Sequence, residues 1–229
     1  PMTTSDIHEV FVAYVEGKVP RLPWCSSDLA PETSTIMDDV TALNRAGFLT
    51  INSQPRVNGA RSDDPTFGWG GPGGYVYQKA YVECFTPPAN LKVLMDCMAE
   101  FPSMTYFAVD VRGNTYSNAT HKGVQAVTWG SFPCREVVQP TVVDPDSFMV
   151  WKDEAFALWL QQWASIYEED SASFDLVHDI HDTYFLVNVV DNDFTSGNIF
   201  DVFKRAIARM EPTNVGISHE GTALPGPAS

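Results

Sequence analysis

Small hydroxyl side chains gather at what should be the edges of structural elements. Thr33 and Ser34 follow Glu32, Thr50 and Ser53 flank a strand core, Thr128 precedes Trp129, and Thr141 follows Pro140. Ser and Thr at such points can cap helices. The same groups can line a pocket for a polar, amino-acid-like ligand. Residue type alone leaves both readings open. Other candidates carry less. Glu32, Asp144, Asp146, Glu154 and Asp191-Asn192-Asp193 could supply acid–base chemistry, but carboxylates are too plentiful for spacing to pick a pair. His178 and His181 sit three apart on a predicted helix beside Asp179 and Asp182. That spacing can put two metal ligands on one face. No third ligand matches it, so an exposed helix end is expected. With no G-x-S-x-G or Cys/His hydrolase pattern, neither a catalytic residue nor a metal site is assigned.

The stretch Gly68-Trp69-Gly70-Gly71-Pro72-Gly73 fits G-x-G-x-x-G. A dinucleotide fingerprint needs a strand before the glycines and a helix after them, whose N-terminus holds the pyrophosphate. Here a loop precedes and a strand beginning at Tyr75 follows. The context is inverted, and the glycines are expected to serve tight turns and close backbone approach.

The elements that must position these residues can be read from periodicity. Ile7, Val10, Phe11 and Tyr14 predict a helix that Thr4 or Ser5 caps and Gly17 ends. A second helix is expected from about Glu32 to Gly47, then a strand over 48–53 and a loop over 54–74 long enough to be functional. Residues 75–85 alternate and predict one long strand. A helix through Leu91, Leu94, Met95 and Met98, a strand over 104–111, and strands over 125–132 and 136–139 follow. A long aromatic helix is expected over 148–168, either as core or as a subunit contact. A short helix over 171–182, a strand over 184–190 and a last helix through Ile199, Val202, Phe203, Ala206, Ile207 and Met210 complete the domain. The fold class is α+β, with mostly antiparallel sheets, two in number, surrounded by helices. The domain is expected over 1–211, followed by a flexible tail over 212–229.

Bulk properties narrow the partners. Hydrophobic residues at 44% suit a folded chain with a sizeable core. A net charge of −15 argues against nucleic acid or an anionic membrane surface, both of which attract basic patches. No apolar run reaches the roughly 20 residues of a membrane span. Cys25, Cys84, Cys97 and Cys134 form no C-x-x-C and are expected to be reduced and mostly buried, as in a cytoplasmic protein. The sequon at Asn118-Ala119-Thr120 is read as chance, because the N-terminal stretch PMTTSDIHEVF does not look like a secretory signal.

Several long strings occur in order: Leu49 to Pro55 (LTINSQP), Gly68-Trp69-Gly70 with Gly73 to Val76, Gln78 to Tyr81 (QKAY), Ala126 to Gly130 (AVTWG), Gln139 to Pro145 (QPTVVDP), Phe148-Met149 with Trp151 to Trp159, and Tyr184 to Asn188 (YFLVN). They resemble the C-terminal regulatory domain of eukaryotic methylenetetrahydrofolate reductase, from about Asp6 to about Met210. The resemblance implies a mixed fold of two sheets ringed by helices, which binds S-adenosylmethionine as an allosteric inhibitor, with S-adenosylhomocysteine competing. It implies a homodimer contact. It also implies an N-terminal β/α barrel, outside this chain, that holds FAD and uses NADPH to reduce 5,10-methylenetetrahydrofolate to 5-methyltetrahydrofolate. No reductase chemistry is then expected of this chain alone. By motif position the effector ligands would be Glu32, Thr33, Thr50, Ser53, Thr128 and Thr141, the hydroxyls singled out above plus one acid. Two positions depart from the family pattern, Pro31 where Ala is frequent and Cys134 where Gly is. Two other function classes stay in view: a purely structural homodimerisation domain, and a methyltransferase that consumes the same ligand.

Overall fold

The computed structural model describes residues 4–19, 22, 29, 31–61, 75–118, 124–127, 129–131, 141–143, 171–193 and 199–210. The expected strand over 136–139, the aromatic helix over 148–168 and the tail over 212–229 lie outside them.

Two helices open the chain, and each ends where a glycine permits it. In α1 (Thr4–Val15), Ile7, Phe11 and Tyr14 are buried along one stripe. Gly17 adopts φ 71°, Gly17 N–H donates to the Tyr14 carbonyl and Lys18 N–H to that of Ala13. This left-handed cap satisfies carbonyls that the last turn would strand. The same arrangement closes α2 (Met37–Arg45): Gly47 has φ 87°, Gly47 N–H donates to Asn44 and Phe48 N–H to Leu43.

The second helix begins later than its periodicity predicts. Pro31–Thr35 forms a 3₁₀ helix, and Ile36 separates it from α2. Ser34 Oγ donates to the Pro31 carbonyl at 2.8 Å and Thr35 Oγ1 to that of Glu32 at 2.8 Å. Consecutive hydroxyl residues compete with the α-helical pattern through such local bonds.

A five-stranded, fully antiparallel sheet forms the centre: β1 (Leu49–Gln54), β4 (Tyr81–Thr86), β10 (Phe185–Asp191), β5 (Met104–Val109) and β6 (Thr115–Ser117), in that spatial order. One face packs Tyr81, Phe85, Phe107, Leu186 and Val190 against α1 and against Val177 and Ile180 of α4 (Ser171–Thr183). The other packs Val82, Cys84, Ala108, Val187 and Val189 against α2, α3 (Pro88–Met98) and α5 (Ile199–Met210). Every residue of β10 is buried, as expected of a strand covered on both sides. The α+β expectation holds. Two sheets were expected; the described strands group as five, as three (β2 Val57–Arg61, β3 Tyr75–Gln78 and β8 Trp129–Ser131) and as two (β7 Val124–Val127 and β9 Thr141–Val143).

The single long strand expected over 75–85 is two strands in different sheets. Residues 79 and 80 join them: Gln54 Nε2 donates to Lys79 O at 2.8 Å, and Asp191 N–H donates to Ala80 O at 3.0 Å beside the Val190–Tyr81 pair of β10 and β4. The expected loop over 54–74 likewise contains β2, hidden in the sequence by Asn58-Gly59. Gly59 has φ 82° at an irregularity in the β2–β3 register, where its lack of a side chain is needed.

Candidate functional site

Glu32 and Thr33 are buried, with 3% and 5% of their surfaces exposed. The 3₁₀ helix that carries them packs on β1. A carboxyl so placed needs partners for two oxygens. The Gln78 side chain, on β3, hydrogen-bonds to one; Oε2 has no partner among the described residues. Burial pushes the Glu32 carboxyl above its ordinary range, and the Gln78 contact draws it partly back. No charged side chain among the described residues offsets that burial. The carboxyl is therefore electrostatically incomplete and fits a positively charged group.

Gln78 is itself buried, and its Nε2 donates to the Pro55 carbonyl at 2.8 Å. Its carboxamide thus ties the turn between β1 and β2 to the acid on the 3₁₀ helix. Gln78 opens the QKAY string, but its residue type gave no reason to place it at the site.

Thr50 and Ser53 lie on β1, opposite Cys84 and Val82 of β4. Thr50 is buried and held by Asn44 of α2. Its N–H donates to Asn44 Oδ1 at 2.8 Å, and Asn44 Nδ2 donates to Thr50 Oγ1 at 3.0 Å. Ser53 is half-buried. The backbone of Thr141 opens β9 opposite Val127. Thr128 lies outside the described residues. Glu32, Thr33, Thr50 and Ser53 are thus gathered on β1 and the 3₁₀ helix packed against it. Asn44 escaped sequence reasoning because a polar residue in the last turn of a helix reads as exposed.

Of the remaining candidates, Asp144, Asp146 and Glu154 lie outside the described residues. The run Asp191-Asn192-Asp193 builds the turn after β10: Asp193 N–H donates to Asp191 Oδ1, and Asn192 Nδ2 donates to Ser103 O and Thr105 Oγ1. His178 is exposed, but His181 is buried, with Nδ1 3.0 Å from Asp182 Oδ1, so the expectation of two exposed histidines is corrected. The helix turns His181 inward beside Ile180, a placement that spacing alone does not reveal. Among the described residues no group of three His, Cys, Asp or Glu could hold a metal ion, and no described helix is long and apolar enough to cross a membrane. Cys84 and Cys97 are buried free thiols, and burial drives the Cys84 thiol far above its usual range, which makes it unreactive. Asn118 is engaged by its neighbours: Oδ1 accepts from Tyr106 N–H and Nδ2 donates to Met104 O.

A family model described as "MTHFR, SAM-binding regulatory domain" matches residues 2–211. The chain is 51% identical over 203 residues to "Methylenetetrahydrofolate reductase (NADH) 1" of Zea mays, covering 88% of this chain and 34% of that protein. It is 50% identical over 200 residues to the protein of the same name in Arabidopsis thaliana, covering 87% and 34%. It is 43% identical over 206 residues to "Methylenetetrahydrofolate reductase 1" of Schizosaccharomyces pombe, covering 90% and 34%. The chain spans about a third of the length of the curated relatives it matches. With nearly the whole chain matched by the family model, it belongs to the SAM-binding regulatory domain family of methylenetetrahydrofolate reductase.

Proposed function

We propose that this chain is an allosteric sensor. It binds S-adenosylmethionine, and competitively S-adenosylhomocysteine, and thereby controls reduction of 5,10-methylenetetrahydrofolate to 5-methyltetrahydrofolate by a separate FAD-holding barrel that uses NADPH. Relatives are named for both coenzymes, NADH in maize and NADPH in Caenorhabditis elegans. The choice between them belongs to the barrel. The domain occupies 1–211 with a tail over 212–229, acts in the cytoplasm, and pairs with a second copy. Membership of the SAM-binding family supports this reading, and one observation carries it locally: a buried acid whose Oε2 has no partner among the described residues.

The effector's sulfonium charge meets Glu32, while Thr33, Thr50, Ser53, Thr128 and Thr141 supply hydroxyls to its methionyl carboxylate and amine. Thr50 Oγ1 accepts from Asn44 Nδ2 at 3.0 Å and lies 3.2 Å from Asn44 Oδ1, so a ligand carboxylate would compete with Asn44 for the hydroxyl hydrogen. The demethylated product lacks both the charge and one methyl. That difference is worth on the order of 1–3 kcal/mol, enough for allosteric coupling. Inhibition then requires that the effector favour one of two arrangements of domain and barrel.

Calorimetry of the whole chain with each ligand tests the binding. Wild-type affinity in Thr50→Ala combined with Ser53→Ala would remove those residues from the site. Methyl transfer from labelled ligand to an acceptor would favour a methyltransferase instead. A stable dimer by light scattering without adenosyl-ligand binding would favour a structural domain.

A further inference from the structure

The site has a residue that neither the hydroxyl pattern nor the carried-over motif positions include. Gln78 is 1% exposed, and both of its known contacts are polar. Its Nε2 donates to Pro55 O at 2.8 Å, and its side chain hydrogen-bonds to the Glu32 carboxyl. A primary amide nitrogen has two hydrogens, enough for both the turn and the acid beside it. The Pro55 bond fixes the amide plane, and the amide in turn fixes the carboxyl. Gln54, nearby on β1, donates to Lys79 O instead.

Resting on the reading of the site given above, we propose that Gln78 is its positioning residue: the carboxamide holds one oxygen of Glu32 so that Oε2 is left to the effector's positive charge, and this sets the preference for a charged over an uncharged ligand. The surroundings make the amide decisive. On the described elements packed with the 3₁₀ helix, β1 presents Thr50, Ser53 and Gln54 and β3 presents Gln78, none of them charged. Of the charges on neighbouring segments, Glu16 pairs with Lys18, Asp39 with Lys204, and Lys79 bonds Asn192 under the field of Asp191, while Arg56 follows Pro55 on the turn between β1 and β2. The amide is thus the group that stabilises the ionised Glu32 before a ligand arrives. Without it the acid holds its proton to higher pH, and a cationic ligand must first displace that proton.

The test compares the sulfonium ligand S-adenosylmethionine with the uncharged thioether S-adenosylhomocysteine, by calorimetry on the whole chain between pH 6 and pH 9. Gln78→Leu and Gln78→Met remove the amide at similar volume. At pH 7 each should weaken sulfonium binding about tenfold to a hundredfold, as for loss of a hydrogen bond to a charged group. Thioether binding should change less than about threefold, which also verifies the fold. Raising the pH should restore the sulfonium affinity of the variants toward wild type, a recovery that structural damage would not give. In a Glu32→Gln background, Gln78→Leu should have no further effect on the preference. Equal loss of both ligands, an unchanged ratio, or no recovery with pH overturns the assignment of Gln78 while leaving the site intact. A wild-type chain that binds neither ligand overturns the site and this assignment together.

Discussion

Asn44 grips Thr50 at two points: Oδ1 accepts the Thr50 backbone N–H at 2.8 Å, and Nδ2 donates to its hydroxyl oxygen at 3.0 Å. Both residues are buried, so the pair joins the last turn of α2 to β1 with no competition from water. One threonine therefore serves the fold and the proposed site at once. Thr50→Val, which keeps the shape and removes the hydroxyl, should cost about 1–3 kcal/mol because Asn44 Nδ2 is left buried without an acceptor. Asn44→Ala should cost at least as much. Urea denaturation measures both, and a Thr50→Val chain as stable as wild type would mean that Asn44 finds another partner.

Glu32 should trade stability for binding. Its folded pKa is raised above the ordinary 4.5 by burial, against the smaller pull of Gln78. A raised carboxyl favours the folded state at low pH and penalises it as pH climbs from 4.5 through the folded value. Glu32→Gln should then melt higher than wild type at pH 7.5, and the gap should narrow toward pH 4.5. The same variant should lose most of its preference for the charged ligand. A lower melting temperature at pH 7.5 would show that the carboxylate is compensated in the folded chain.

His8 should impose the opposite pH trend. Its ring donates to the Arg45 backbone carbonyl, and Nε2 is buried without a partner among the described residues. Burial lowers its pKa below 6.5, outweighing the Arg45 carbonyl and Glu9, which both raise it. Above 6.5 the ring is neutral in folded and unfolded chains alike. Below 6.5 the unfolded chain takes up the proton first, so stability falls with pH until the folded ring also titrates. Thermal melts of wild type and His8→Gln between pH 7.5 and 5 should diverge, with wild type losing more. Parallel curves would place the acid sensitivity elsewhere.

Tyr81 lies between two acceptors with a single proton. Its hydroxyl is 2.9 Å from Glu83 Oε2 and 2.7 Å from Asn188 Oδ1. Burial drives the Glu83 carboxyl upward, with the Tyr81 bond opposing it. Glu83→Gln offers Tyr81 an amide that can either donate or accept, and should be tolerated within about 1 kcal/mol. Tyr81→Phe should cost about 1–3 kcal/mol, since two polar groups lose their partner. If Glu83→Gln proved the more damaging change in urea, Glu83 would be ionised in the native chain.

Much of this architecture is local enough to be read from residue order. The ends of α1 and α2 follow from Gly17 and Gly47, because only glycine takes the left-handed cap without strain. The burial of α5 follows from Ile199, Val202, Phe203 and Ala206 at helical spacing. The strings around LTINS, AVTWG and QPTVVDP pointed to the family, and the family match followed. Within the site, Glu32, Thr33, Thr50 and Ser53 could be nominated by type.

Packing decided the rest. Alternation continues unbroken from Tyr75 to Phe85, yet the chain changes sheets at Lys79: residues 75–78 pair with β2 and β8, and residues 81–86 with β1 and β10, all distant in sequence. Likewise, Gln78 and Asn44 are unremarkable as letters, and their roles arise from the backbone groups that folding sets beside them. Periodicity records which side of an element faces the core, so the sequence by itself determined the apolar faces of the helices and the family, while the limits of β2, β3 and β4 and the start of α2 were set by packing. The partner of a buried polar group is chosen by three-dimensional proximity, and only the tertiary structure could show that Glu32 rests on Gln78 and Thr50 on Asn44.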